Sequence, residues 1–180
     1  MKPAVLVIDM LNDFILDGAP LECSKGREII KPISKLITLC RNKKIPIIYV
    51  ADSHDPNDKE FKIWPPHAVE NTRGAEVIDE LKPLKGDIIV KKKTYDGFFK
   101  TNLDKVLKGK KIDTLILTGV CTDICIMHTA SSATLLGYIV KIPKECVAAL
   151  TEEDHNFALK HLEKVLKSEV NNLDNIIAQL

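Results

Sequence analysis

The chain has 180 residues, 45% hydrophobic and 28% charged, with a formal net charge of +1. That length fits one domain with one sizeable core. The balanced charge excludes a strongly basic nucleic-acid binder, and the apolar fraction excludes wholesale disorder. No apolar run approaches the ~18 residues of a membrane span, and the run 4–8 is too short for the core of a secretion signal. Five cysteines (23, 40, 121, 125 and 146) are an odd number without a C-x-x-C pair. They read as free thiols in a reducing, cytoplasmic setting. The eight glycines lie no closer than eight residues apart. This spacing excludes the glycine-rich dinucleotide loop, the phosphate-binding P-loop and the G-x-S-x-G elbow.

The elements alternate along the chain. Residues 4–8 (AVLVI) read as a strand buried on both faces. Residues 26–44 carry Ile29, Ile30, Ile33, Leu36, Ile37 and Cys40 at helical spacing, with Pro32 marking a first turn or kink. A second strand covers 45–51, and a long polar, proline-bearing connection covers 52–73. A short helix is predicted over 75–81, a third strand over 87–90 and a helix over 101–107. The fourth strand is 114–118 (TLILT), followed by a helix over 122–136 that ends at Gly137. The fifth strand is 138–142. Thr151-Glu-Glu-Asp154 resembles a capping box and opens a helix to about Lys167. The tail, with Leu173, Ile176, Ile177 and Leu180, reads as a further helix. The pattern predicts an α/β fold: a doubly wound parallel sheet of five or six strands with helices on both faces. In such sheets ligands bind beyond the carboxyl ends of the strands.

That edge carries chemically active residues. Asp9 ends the first strand, with Asp13 a rival four residues on. Cys125 lies in the first turn of the helix after strand four, where backbone N–H groups and the helix dipole favour thiolate. Cys121, four residues earlier, leaves open which of the two is the nucleophile and which is structural. One lysine of the run 91–93 is placed to steady a thiolate or an aspartate, and spacing does not choose among them. Asp52-x-His54 with His67 downstream, and Glu60 as a fourth donor, forms a candidate divalent-metal set. The alternative is polar loop residues that never meet. His128, one turn after Cys125, reads as a packing or capping residue. His155 and His161 read as surface or packing residues. Phe14, Trp64 and Tyr95 can stack on a flat ring or simply cover the core.

Six blocks go further: V-I-D-M-L-N-D-F (7–14), D-S-H-D (52–55), W-P-P-H (64–67), N-T-R-G-A-E (71–76), K-K-T-Y-D-G-F-F-K-T-N-L (92–103) and G-V-C-T-D-I-C-I-M-H-T-A (119–130). From Val5 to about Leu162 the chain resembles the isochorismatase-like cysteine hydrolases, and within them the nicotinamidases. The resemblance implies a catalytic triad of Asp9, Lys92 and Cys125. It also implies a cis Val120–Cys121 bond and an oxyanion hole from the N–H groups of Cys121 and Cys125. It implies a metal on Asp52, His54, His67 and Glu60 (zinc, with iron or manganese as alternatives), and a ring site between Phe14, Trp64 and Tyr95. The implied activity is release of ammonia from a small amide, nicotinamide first. N-carbamoylsarcosine or another small amide is the alternative, and a non-catalytic metabolite-binding protein the remote one. Isochorismate hydrolysis is set aside, because cleavage of that vinyl ether is not associated with a cysteine nucleophile. Two departures bear on substrate: D-S-H stands for D-W-H, and Y-D-G-F for Y-S-A-F puts Asp96 near the pocket. The resemblance further implies a homo-oligomer, with no nucleic-acid or membrane partner.

Overall fold

A computed structural model describes residues 1–180. Chain order is β1 (Pro3–Ile8), α1 (Asn12–Ile15), α2 (Ile30–Asn42), β2 (Ile47–Asp52), β3 (Ile88–Lys92), α3 (Leu103–Gly109) and β4 (Thr114–Val120). Then follow α4 (Met127–Leu135), β5 (Ile139–Pro143), β6 (Val147–Ala148), α5 (Glu152–Lys164), β7 (Glu169–Asn171) and α6 (Leu173–Ile177). All seven strands are parallel, in the order β3-β2-β1-β4-β5-β7, with β6 pairing β4 beyond β5. No helix is long and apolar enough to cross a membrane.

Alternation along the strands divides the core between the two faces. Val5, Val7, Ile47 and Tyr49 meet Ile33, Leu36, Ile37 and Cys40 of α2 on one face. Leu6, Ile8, Ile48 and Leu117 meet Leu103, Leu107, Ala130 and Leu162 on the other. Pro32 sits in the first turn of α2, where its missing N–H costs no helix bond. Thr151 caps α5 as expected, accepting from the Asp154 N–H at 3.1 Å.

Several expectations need correction. The 75–81 segment is not a helix but a pair of 3₁₀ turns, Arg73–Ala75 and Asp79–Leu81. Between them Val77 bridges Leu11, Asn12 N–H donates to Glu76 O, and Ile78 N–H donates to Met10 O. Those bonds to the β1–α1 connection replace the helical ones. The 122–136 helix is two pieces: a π-helical turn, Thr122–Ile126, and then α4. The strands β6 and β7 were not foreseen; the expected parallel sheet has six strands along its main path, with the two-residue β6 beside β4. The tail folds back on its own chain through β7 on β5 and α6 on α2.

The strand order reverses between β1 and β4. Ligands of open α/β sheets bind at such a reversal. Asp9 follows β1 and Cys121 follows β4, so this reversal lies between the two candidate catalytic segments.

Candidate active site

Gly119 lets these two segments approach. It lies at φ +112°, opposite Ile8, and a Cβ there would stand 1.9 Å from the Ile8 carbonyl oxygen. Asp9 follows Ile8 at φ 51°, with its carboxylate 1% exposed. Asp9 Oδ1 accepts from the Asp52 N–H at 2.9 Å.

Strand alternation settles the lysine run. Lys91 and Lys93 point outward to Glu70 and Asp55. Lys92 alone points inward, 1% exposed. Its Nζ stands 2.7 Å from Asp9 Oδ2, 2.5 Å from Asp52 Oδ1 and 3.6 Å from Cys125 Sγ. Asp9, Lys92 and Cys125 therefore meet in space. Asp13 does not join them; it accepts from the Ala68 N–H at 2.8 Å and packs against Gly74.

Electrostatics reverse one expectation. Burial, with Asp9 and Asp52 nearby, pushes the Cys125 thiol well above its usual pKa despite the Lys92 ammonium. The π-turn does not yield a resting thiolate, so the thiol needs a base. Burial first, and the Asp52 charge second, push Asp9 up to about 6 against the pull of Lys92. A carboxyl in that range is suited to take and return a proton near neutrality. For Lys92, burial pulls downward, but Asp52 and Asp9 outweigh it and hold the ammonium charged.

The candidate metal donors also converge. Asp52, His54 and His67 offer ligand atoms all within 4.8 Å of one another. Both imidazoles hold Nδ1 elsewhere: His54 on Asp58 Oδ2 at 3.2 Å, His67 on the Pro65 carbonyl at 2.7 Å. That leaves both Nε2 atoms toward Asp52 Oδ2, at 3.7 and 3.8 Å. His54 Nε2 is buried without a hydrogen-bond partner, as suits a nitrogen donor for a metal ion. Glu60 stands outside this trio, 4.0 Å from His67 Nε2. Asp58 is the residue the sequence reading missed. The spacing of four residues from His54 was its only signal.

A narrow cavity of ≈ 40 Å³ joins the two clusters. Phe14, Trp64 and Tyr95 line it together with Asp52, Glu60, His67, Cys121 and Cys125. Trp64 Nε1 donates to the Tyr95 hydroxyl at 2.8 Å, tying the two loops across the mouth. The Val120–Cys121 peptide bond is cis, and the Cys121 N–H donates to no other group of the chain. Asp96 does not line the cavity. It accepts from Ser132 Oγ at 2.6 Å and from the Phe98 N–H at 2.8 Å, so it braces its own turn. His128 holds the Ile124 carbonyl at 2.7 Å, a capping role.

A buried thiol, carboxylate and ammonium beside an Asp-His-His trio form a candidate hydrolytic site. The Isochorismatase domain family model matches residues 3–170, and the chain belongs to that family, as one of its amidohydrolases. An isochorismatase-like hydrolase from Alkaliphilus metalliredigens superposes with TM-score 0.96 at 38% identity, over 99% of both chains. N-carbamoylsarcosine amidase from Thermoplasma acidophilum gives 0.89 at 37%, over 97% of this chain and 98% of that one. The nicotinamidase PncA from Bacillus subtilis gives 0.90 at 31%, over 96% and 100%.

Proposed function

We propose that the chain hydrolyses the carboxamide of a small, neutral, aromatic amide, nicotinamide first, to the carboxylate and ammonia. The observation that carries this reading is the lining of the cavity. Three aromatic side chains flank it, and no lysine or arginine does. Lys92, the nearest cation, is committed to Asp9 and Asp52. A substrate with its own carboxylate, such as N-carbamoylsarcosine, would meet Asp52 and Glu60 without a cationic side chain to receive it.

In this reading Asp9 takes the Cys125 proton and the sulfur forms a bond to the amide carbon. The N–H groups of Cys121 and Cys125 receive the oxyanion. Asp9 returns the proton to the departing nitrogen, the C–N bond breaks, and ammonia leaves a thioester. Asp9 then takes a proton from water, whose oxygen adds to the thioester carbon. The C–S bond breaks, Asp9 returns its proton to the sulfur to restore the thiol, and the acid leaves as carboxylate after giving its proton to ammonia or solvent. Lys92 keeps the ionised partners neutralised throughout. Asp52, His54 and His67, with Glu60 adjacent, would hold a divalent ion, with zinc the best match to these nitrogen and oxygen donors. Such an ion supplies a Lewis acid for a ring nitrogen. The five cysteines are free and buried, in keeping with a reducing cytoplasm.

The 37% identity to an N-carbamoylsarcosine amidase favours one second reading, the same chemistry on a carbamoyl substrate. Ammonia release from both amides by zinc-loaded protein, with Cys125→Ala as control, separates them. Release from nicotinamide that disappears in the variant supports the first reading. Release from N-carbamoylsarcosine alone replaces it with the second. Near-native activity in Cys125→Ala overturns the nucleophile.

A further inference from the structure

The π-helical turn Thr122–Ile126 carries Cys125 and follows directly on Cys121. Its Ile124 and Ile126 N–H groups both donate to the carbonyl of the preceding Cys121, each at 3.1 Å. A turn this wide packs less tightly than an α-helical one, and such turns recur at functional sites. Something outside the turn has to fix it. Apart from the thiol's own contact with Lys92, two side-chain hydrogen bonds tie it to other elements: His128 of α4 holds the Ile124 carbonyl at 2.7 Å, and a second bond reaches a helix remote in sequence. Thr122 Oγ1, fully buried, lies 2.9 Å from Nδ1 of His155 in the first turn of α5.

We propose that His155 is a positioning residue for the nucleophile: through Thr122 it fixes the turn that presents the Cys125 thiol and the adjoining N–H groups. The inference rests on the reading of Cys125 as nucleophile, and it gives the late helix α5 a part in the reaction although no α5 side chain lines the cavity. The contact suits the task. The threonine hydroxyl has no other partner within the chain, and His155 is itself held by its N–H donating to the Thr151 carbonyl at 3.1 Å. Thr122 lies one residue after Cys121 and three before Cys125, so a shift of the turn moves the sulfur and both N–H groups together. A misplacement of about 1 Å in such a site costs roughly 100-fold in rate.

The test compares Thr122→Val and His155→Leu, which delete the bond, with Thr122→Ser and His155→Asn, which keep a partner near the same place. Two quantities are read on folded, zinc-loaded protein. One is kcat for nicotinamide per reactive thiol. The other is the second-order rate of Cys125 alkylation by iodoacetamide, followed by mass spectrometry, which needs no substrate assignment. The expected result is a kcat loss of roughly 10- to 100-fold in each deleting variant, with KM within about threefold and alkylation slowed in parallel. The conservative pair stays within about threefold of wild type, and the double variant Thr122→Val/His155→Leu is no worse than either single. Full kcat and alkylation per thiol in Thr122→Val, whatever its melting temperature, overturns the proposal, as do losses that multiply in the double variant. Thr122→Val carries the test if His155→Leu does not fold. Wild type that alkylates at Cys125 but leaves nicotinamide intact refutes the substrate reading alone, and the alkylation series still decides the role of His155.

Discussion

Replacing Lys92 by methionine keeps the length of the side chain and removes the ammonium that separates Asp9 from Asp52. All three groups are buried, and Nζ lies 2.7 and 2.5 Å from the two carboxylates. Removing one partner of a buried ion pair costs about 3–5 kcal/mol, because the other charge is left uncompensated. For a chain of this size each kcal/mol shifts Tm by about 2–4 °C, so Lys92→Met is expected to melt roughly 6–20 °C lower at pH 8. The pH dependence has a definite sign. Asp9 already sits at about 6, raised from 3.8 by burial and by Asp52, and Lys92 is what pulls it down. In the variant that pull is gone and the carboxyl rises further. A carboxyl raised on folding holds its proton in the folded state where the unfolded chain has lost it. Its contribution is complete below the unfolded value and is lost as pH rises through the folded one. The Asp9 part of the Lys92→Met penalty should therefore be small near pH 5 and grow toward pH 8, while the lost pairing with Asp52, whose carboxyl Lys92 holds low, is felt at both, so the total is smaller at pH 5 than at pH 8. Lys92→Met/Asp9→Asn, with a single buried carboxylate left, should recover part of the loss at pH 8. Calorimetry of chelator-treated proteins at pH 5, 6.5 and 8 reads all of this. A drop under 2 °C at pH 8, or a larger drop at pH 5 than at pH 8, refutes the reasoning.

Asp58→Ala should leave the Asp9–Lys92–Cys125 contacts intact and weaken zinc binding roughly 10- to 100-fold, because it frees the His54 ring that Asp58 orients. Competition against a chromophoric chelator measures this, and an affinity within twofold of wild type contradicts it. Gly119→Ala forces a Cβ onto the Ile8 carbonyl at a positive φ. It should cost more than ~3 kcal/mol, and a melting temperature within 2 °C of wild type rules the clash out. With Asp9 raised to about 6 and active as the ionised base, kcat/KM should fall about tenfold per pH unit below that value; a flat profile from pH 5 to 7 removes Asp9 from the role.

The reading from sequence succeeded where a residue's neighbours along the chain determine its fate. The apolar runs of β1, β2 and β4 need no tertiary context, and the residues that end or follow them come together at one edge of the sheet. It failed where the partner is remote. Val147–Ala148 is a strand only because Gly119 and Val120 lie beside it, and Glu169–Asn171 is a polar edge strand recognisable only by its pairing with β5. Residues 75–81 carry a helix-like pattern, yet Glu76 and Ile78 bond to Asn12 and Met10 across the chain. The thiol state of Cys125 was misread for the same reason. The helix-terminus argument is local, whereas burial and two carboxylates from β1 and β2 decide the outcome. Asp52 shows what this means for the site. By its spacing it belongs to the metal donors, and in space one of its oxygens holds Lys92 while the other faces His54 and His67. The Asp9–Lys92–Cys125 cluster and the Asp52–His54–His67 cluster are thus one electrostatic unit joined through a single carboxylate. A substitution at Asp52 disturbs both at once and can assign neither. Asp58, which touches only the histidine side, separates them: lost zinc affinity with an unchanged Cys125 alkylation rate would mean that the ion serves the substrate rather than the thiol.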